Sequence, residues 1–410
     1  MDTTNTGPLK GLRVLDLTRI LAGPVSTQLF GDLGADVIKI ERAGAGDDTR
    51  KWGPPYVKDA DGNDTTESAY YLSCNRNKRS VAVNIADPDG AALVREMVTK
   101  CDVVVENFKV GGLDKYGLSY ASLKEEFPAL VYCSITGFGQ TGPYSEQAGY
   151  DYLAQGMGGI MSVTGEADGQ PMKVGVAIAD VMCGMYASTA ILAALRHRDN
   201  TGQGQHIDLA LLDSQVAWLA NVGSSYLTSG NEPARLGNQH PNIVPYQVFG
   251  ASDGHFILAV GNDGQFRKFC DFAGLDDLPD DARFATNDAR VQNRTILVPL
   301  IEAATQMSLK SHWLDGLAAI GVPAGPVNTI PEAFADPQVQ HRNMQVQMPH
   351  SLAGSGEVNL IGNPVKMLET PVSYRHAPPT LGEHTDAVLS DLLGMDTAAC
   401  DSLRERGIIG

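Results

Sequence analysis

Short apolar runs recur along the first half of the chain, each followed by a polar or glycine-marked break. LRVLDL (Leu12–Leu17), DVIKIE (Asp36–Glu41), SVAVNI (Ser80–Ile85), CDVVVE (Cys101–Glu106) and ALVYCSI (Ala129–Ile135) have the make-up of buried strands. Helical patterns fall between them. PVSTQLFGDLG follows the first strand, and DPDGAALVREMVTK places Asp87 as a cap with Pro88 in the first turn. Such alternation predicts a mostly parallel sheet covered by helices. The pattern changes near Leu227. VPYQVFGASDGHFILAV predicts two strands joined at SDG, GQFRKFCDFAG and SHWLDGLAAIG predict helices, and QMPHSLAGSGEVNLIG predicts antiparallel extended structure. The expected architecture is α/β, with a Rossmann-like large domain in residues 1–226 and a smaller α+β domain in 227–330. Residues 331–410 then link back to the large domain.

One helix raises a chemical question. GVAIADVMCGMYASTAILAALRHR, residues 175–198, carries Gly184, Ala187, Ala190, Ala193 and Ala194, small residues suited to close packing, behind a single carboxylate, Asp180. With the helix predicted over 181–197, Asp180 has two readings. It caps the free N–H groups of the first turn, or it is an anion kept ready as a nucleophile by the helix end.

Composition narrows the partners. A formal net charge of -17 argues against a nucleic-acid backbone, though a local cationic groove remains compatible with an acidic exterior. The six cysteines form no CxxC pair, so reduced thiols are expected. The opening MDTTNTGPLKG lacks an apolar targeting core, and no stretch is expected to span a membrane, which together predict a cytoplasmic protein. The first strand is followed by TRILAGPVSTQLF rather than GxGxxG, a P-loop is missing, and the histidines form no metal-ligand spacing. Cations instead gather beside strand ends: Arg42 with Arg50 and Lys51, then Arg76, Lys78 and Arg79, then Lys109 and Lys115 after Asn107. Ligands of doubly wound sheets bind beyond the carboxyl ends of strands, so the first and third groups suit a phosphate-rich ligand.

The segments GLRVLDLTRILAGP, LGADVIKIERAGAGDDTR, NRNKRSVAVNI, DVVVENFKVGG, SITGFGQTGP, GYDYLAQGMGGIMSVTG, AALRHRDNTGQGQHIDLALLD and APPTLGEHTDAVL follow in an order that resembles the class III CoA-transferases, the CaiB/BaiF or formyl-CoA transferase family, over nearly the whole chain. The resemblance implies the CaiB/BaiF fold, an interlocked homodimer, and a coenzyme A thioester as substrate with no tightly bound cofactor and no metal. It assigns Asp180 as the nucleophile, forming an aspartyl mixed anhydride and then an aspartyl-CoA thioester. It implies a CoA shell of Ile20, Leu21, Arg42, Asn107, Phe108, Lys109, Lys115, Ala148, Tyr150 and Asp151, with the last two near the acyl group and Trp52 as a wall. The GNDGQF segment, Gly261–Phe266, would close over the anhydride. A carboxylate needs no raised pKa for this role; it must be ionised and aimed.

Two departures from the family pattern narrow the reaction. A racemase branch carries histidine where this chain has Tyr150, and a phenol titrating near ~10 is a poor base at neutral pH. Formyl-CoA:oxalate transferases commonly carry glutamine where this chain has Leu21, and a four-glycine loop in place of GNDGQ. The resemblance therefore favours exchange between succinyl-CoA and a larger dicarboxylate, with Arg50, Arg76 or His240 meeting its distal carboxylate. An alpha-methylacyl-CoA racemase-like proton transfer and a carnitine CoA-transferase are the alternatives.

Overall fold

The computed structural model describes residues 7–410, which divide into two compact units. The larger holds the chain up to Ile160, then Val174–Ser224 and Gln340–Gly410; the smaller holds Met161–Lys173 and Ser225–Val339. The smaller unit thus takes in a short excursion, 161–173, that lies inside the expected 1–226 domain. It also runs on past 330, to Val339, through the short helix Ile330–Ala335 and into the next, Pro337–His341, where the chain returns to the larger unit.

The larger unit contains strands Arg13–Asp16 (β1), Asp36–Glu41 (β2), Tyr56–Lys58 (β3), Asp64–Ser68 (β4), Lys78–Ala82 (β5), Val103–Glu106 (β6), Val131–Thr136 (β7) and His206–Ala210 (β8). Strands β3 and β4 pair as a separate hairpin. The rest form one sheet in the order β5-β2-β1-β6-β7-β8, with every neighbouring pair parallel. The order reverses between β1 and β6. That reversal opens a crevice at their carboxyl ends, where doubly wound sheets bind ligands. Apolar residues pack both faces, among them Leu15, Ile38 and Val104 on one side and Val14, Val37 and Val105 on the other. The helix Pro88–Val98 starts as the sequence predicts, with Asp87 accepting from Asp89 N at 2.9 Å.

The helix Ile178–Thr201 begins three residues before the expected 181, so Asp180 lies in its first turn rather than at its cap. It crosses the helix Ala22–Asp32 closely: a Cβ at Gly184 would stand 2.5 Å from the Ala22 carbonyl oxygen, and Ser26 Oγ meets Ser188 Oγ at 3.0 Å. Contrary to expectation, this helix is long and apolar enough to cross a membrane by length and composition; half of its apolar window is instead buried within the protein.

In the smaller unit, Tyr246–Ala251 (β9) and Gly254–Ala259 (β10) form the predicted antiparallel pair, joined on the far side of β10 by Ala324–Pro326 (β11). Their core includes Phe249, Phe256, Phe269 and Trp313. The GNDGQF segment is less a loop than a helix start: Asn262 caps the helix Asp263–Ala273, accepting from Gln265 N at 2.9 Å. The returning chain contributes the antiparallel pair Gln345–Pro349 (β12) and Glu357–Ile361 (β13), then the helix Thr385–Leu393 and a further helix, Thr397–Glu405.

Candidate active site

The crevice at the strand-order reversal is a cavity of about 180 Å³. One wall follows β1 and contains Ile20 and Leu21; a second follows β6 and contains Asn107, Phe108 and Lys109. Ala148 and Tyr150 come from the loop after β7, and Asp180 completes the lining. That loop reaches the cavity only because Gly137 and Gly149 touch backbone to backbone, a Cβ on Gly149 falling 2.3 Å from the Gly137 Cα.

The β1 wall is held under strain. Ile20 has φ 74°, a left-handed conformation that costs a β-branched residue about 1–3 kcal/mol. Buried polar groups fix it there. Ile20 N donates to Asp47 Oδ1 at 3.2 Å, and Lys39 Nζ donates both to Asp47 Oδ2 at 3.0 Å and to the Thr18 carbonyl at 2.8 Å. Asn107 brackets the neighbouring residue, accepting from Arg19 N at 3.0 Å and donating to Arg19 O at 2.7 Å. Arg19 itself lines the cavity, with its guanidinium 5.8 Å from the Phe108 ring. Its position three residues after β1 was the available sign of this placement, and the resemblance assigned only Ile20 and Leu21 there.

Asp180 is 9% exposed. Its carboxyl makes no hydrogen bond among the described residues, and the capping role belongs to Asp151. Asp151 Oδ1 accepts from Ala179 N at 2.8 Å and from Asp180 N at 3.3 Å, while its Oδ2 accepts from Gln155 Nε2 at 2.7 Å. Asp151 therefore stands behind Asp180 and outside the cavity lining. Burial, together with the Asp151 charge, pushes the Asp180 carboxyl up to about 7. The help expected from the helix end in keeping Asp180 ionised is opposed here, because a second carboxylate already occupies that end. Tyr70 feels the same negative charges, and burial with Asp180 pushes its phenol up to about 12, so it stays a proton donor. Trp52, 43% exposed, meets Tyr70 edge-on at 5.2 Å.

The remaining expected residues sit elsewhere. Arg42 is exposed and lines a neighbouring cavity of about 320 Å³, which shares Arg19 and Phe108 with the first. Lys115 is exposed beside that second cavity, its Nζ 4.8 Å from the ring of Tyr116, which lines it. Arg50 and Arg76 are not available for a substrate carboxylate. Arg50 is buried against Glu41 and Glu67, both at 2.7 Å, and Arg76 pairs with Asp32 at 2.6 Å. His240 belongs to the smaller unit and sits 5.2 Å from the Tyr246 ring.

An unpaired carboxyl on a residue that lines a crevice, next to a second cavity with a cationic rim, suits nucleophilic attack on the activated end of an elongated anion. A family model described as CoA-transferase family III matches residues 9–385. The chain is 52% identical over 393 residues to a succinate–glutarate CoA-transferase of Agrobacterium fabrum, covering 96% of this chain and 97% of that one. It is 44% identical over 408 residues to a human succinyl-CoA:glutarate CoA-transferase, covering 100% and 91%. The crystal structure of a CaiB/BaiF family protein from Brucella suis matches with a TM-score of 0.83 at 50% identity, over 94% of this chain and 99% of that one. The chain belongs to CoA-transferase family III.

Proposed function

We propose that this protein transfers coenzyme A from succinyl-CoA to glutarate or a dicarboxylate of similar size, through covalent intermediates on Asp180. The observation that carries the chemistry is the unpaired Asp180 carboxyl on the wall of the crevice. The printed activities of the Agrobacterium fabrum and human relatives support the choice of substrates. The Asp180 carboxylate attacks the succinyl carbonyl and expels the CoA thiolate, leaving a succinyl–aspartyl anhydride. The thiolate then attacks the aspartyl carbonyl, releasing succinate and leaving an aspartyl-CoA thioester. Glutarate attacks that thioester, the thiolate leaves again, and its return to the glutaryl carbonyl yields glutaryl-CoA and restores the carboxylate. Activation is conserved at each step, so the enzyme's task is to aim the groups and exclude water.

The nucleotide end of CoA is assigned to the second cavity with Arg42 and Lys115 at its rim, and the thioester end to the wall of Ile20, Leu21, Asn107, Phe108, Lys109, Ala148 and Tyr150. A homodimer belongs to the same reading. Exposed apolar side chains of the larger unit support it: Tyr152, Leu153 and Met157 on one helix, and Met185, Tyr186 and Leu192 on another. Six unpaired cysteines suit a reducing cytoplasm.

The test is a mass-spectrometric screen with succinyl-CoA and separate samples of glutarate, itaconate, mesaconate, malate, citramalate, oxalate and carnitine. Glutaryl-CoA formed by the native protein and not by Asp180→Asn is the expected result. If no acceptor yields a product while an alpha-methylacyl-CoA exchanges its alpha proton, the racemase-like alternative replaces this one.

A further inference from the structure

The first turn of the helix Ile178–Thr201 has two carboxylates competing for one electropositive end. A carboxylate at that end is stabilised by the free N–H groups and the helix dipole. Asp151, arriving from the helix Asp151–Met157, takes those bonds. It is anchored in turn by the fully buried Gln155, whose Oε1 accepts from Val174 N at 2.9 Å. Asp180 contributes its backbone N–H to Asp151 and keeps its own carboxyl unpaired on the cavity wall.

We propose that Asp151 is a positioning residue for Asp180, occupying the helix end so that the Asp180 carboxyl stays unpaired toward the cavity, and opposing a second negative charge beside it. This rests on the reading of Asp180 as the nucleophile and assigns Asp151 a role other than contact with CoA. The two roles belong together. A cap supplied by Asp180 itself would turn its carboxyl back to the backbone, away from the thioester, whereas a cap supplied by a neighbour leaves it free and makes its charge harder to form.

Other groups around Asp180 do not duplicate the effect. The Tyr70 phenol approaches from the turn Ala69–Leu72, and the Cys183 thiol lies one turn along the same helix, with Asp213 of Leu211–Ala217 near that thiol. Both the phenol and the thiol are held well above neutrality by burial and are uncharged. The acid of the crossing helix, Asp32, is engaged by Arg76 and Asn77, and Asp208 of β8 accepts from Gln140 N. Arg19 and Lys109 are cations on the cavity wall itself. Asp151 is the carboxylate that acts on Asp180.

The experiment is the pH profile of kcat/KM for succinyl-CoA, with glutarate saturating, in native protein, Asp151→Asn and Asp151→Ser. Asparagine keeps an oxygen that accepts both N–H bonds and removes the charge, at the cost of the bond that Oδ2 accepts from Gln155 Nε2. The expected result is an acid limb displaced to lower pH by about one unit in Asp151→Asn, raising the rate at pH ~6 several-fold relative to its own plateau. An acid limb that stays in place while the plateau falls shows a purely structural cap and overturns the charge role. Should both variants fail to fold, native protein with carboxyl-13C aspartate supplies the test. The Asp151 resonance should shift where Asp180 titrates, and that shift should vanish in Asp180→Asn. Independent titration of the two overturns the proposal. Transfer retained by Asp180→Asn would instead remove the nucleophile reading, leaving the 13C titration to decide whether Asp151 acts on its neighbour.

Discussion

In the proposed mechanism Asp180 must be an anion to attack the thioester, yet its carboxyl is held up to about 7. The proposed reaction should therefore gain rate as pH rises through 7, with a single-turnover assay of the first anhydride step showing the limb directly. The same group makes a stability statement of opposite sense. Its folded pKa lies above its unfolded value near ~3.9, so its favourable contribution is complete below pH ~4 and lost as pH rises through about 7. Asp180→Asn should abolish transfer and be more stable than native protein at pH ~8, by up to about 4 kcal/mol of unfolding free energy, with the advantage fading toward pH ~4. Calorimetry at the two pH values checks the sign. At this scale the sequence offered Asp180 itself, small and apolar neighbours around it, and the cavity residues Ile20, Leu21, Asn107, Phe108 and Lys109. It did not offer Asp151 as the cap, because the pairing spans 28 or more positions and depends on where the helix begins.

The crossing of Ala22–Asp32 with Ile178–Thr201 decides where that helix begins relative to the crevice. Gly184 is the contact point. In an exposed helix, glycine to alanine stabilises by about 1 kcal/mol. Here a Cβ would stand 2.5 Å from the Ala22 oxygen. Gly184→Ala should therefore destabilise by about 1–3 kcal/mol despite its better helix propensity. It should also lower kcat, because the helix carrying Asp180 must move off the strained Ile20 wall. Urea unfolding read beside the transfer assay separates the two losses. Five strands of the central sheet and the helices Ala22–Asp32 and Pro88–Val98 were readable from apolar runs and caps, as at Asp87; β3, β4, β8 and β11 were not. The start at Ile178 was not, since no Ser, Thr, Asn or Asp caps it locally and Ala177 holds that place.

At the scale of the molecule, the larger unit buries a set of paired charges. Asp16 meets Lys78 at 3.1 Å, Lys39 meets Asp47 at 3.0 Å, and Arg50 joins Glu41 to Glu67. Burial works against an ionised Asp16, but Lys78, Lys39 and two threonine hydroxyls bring it down to about 2; Glu41 is likewise lowered through Arg50 and Lys39. Groups lowered in this way stabilise above their unfolded pKa and lose that contribution as pH falls through the folded value. Circular dichroism should show the larger unit unfolding steeply between pH ~4 and ~2. Removing one partner should cost more than exposed ion pairs do: Arg50→Met leaves two buried carboxylates facing each other, a loss of about 3–5 kcal/mol. In solution, light scattering should give twice the 43.6 kDa chain mass if the proposed dimer covers the exposed apolar helices.

Local chemistry is written along the chain, so the sequence by itself determined the strand–helix alternation, the antiparallel pairs of the smaller unit and the returning segment, and the carboxylate at the head of a small-residue helix. Apolar periodicity, capping residues and turn residues act over a few positions and are visible there. Strand order is not local. Only the tertiary structure put β1 beside β6, and that neighbourhood joins residues 19–22 to 107–110 in one crevice. Only it, too, turned Arg50 and Arg76 from substrate candidates into buried partners of Glu41, Glu67 and Asp32, because a charge in a sequence does not record which opposite charge will be buried against it.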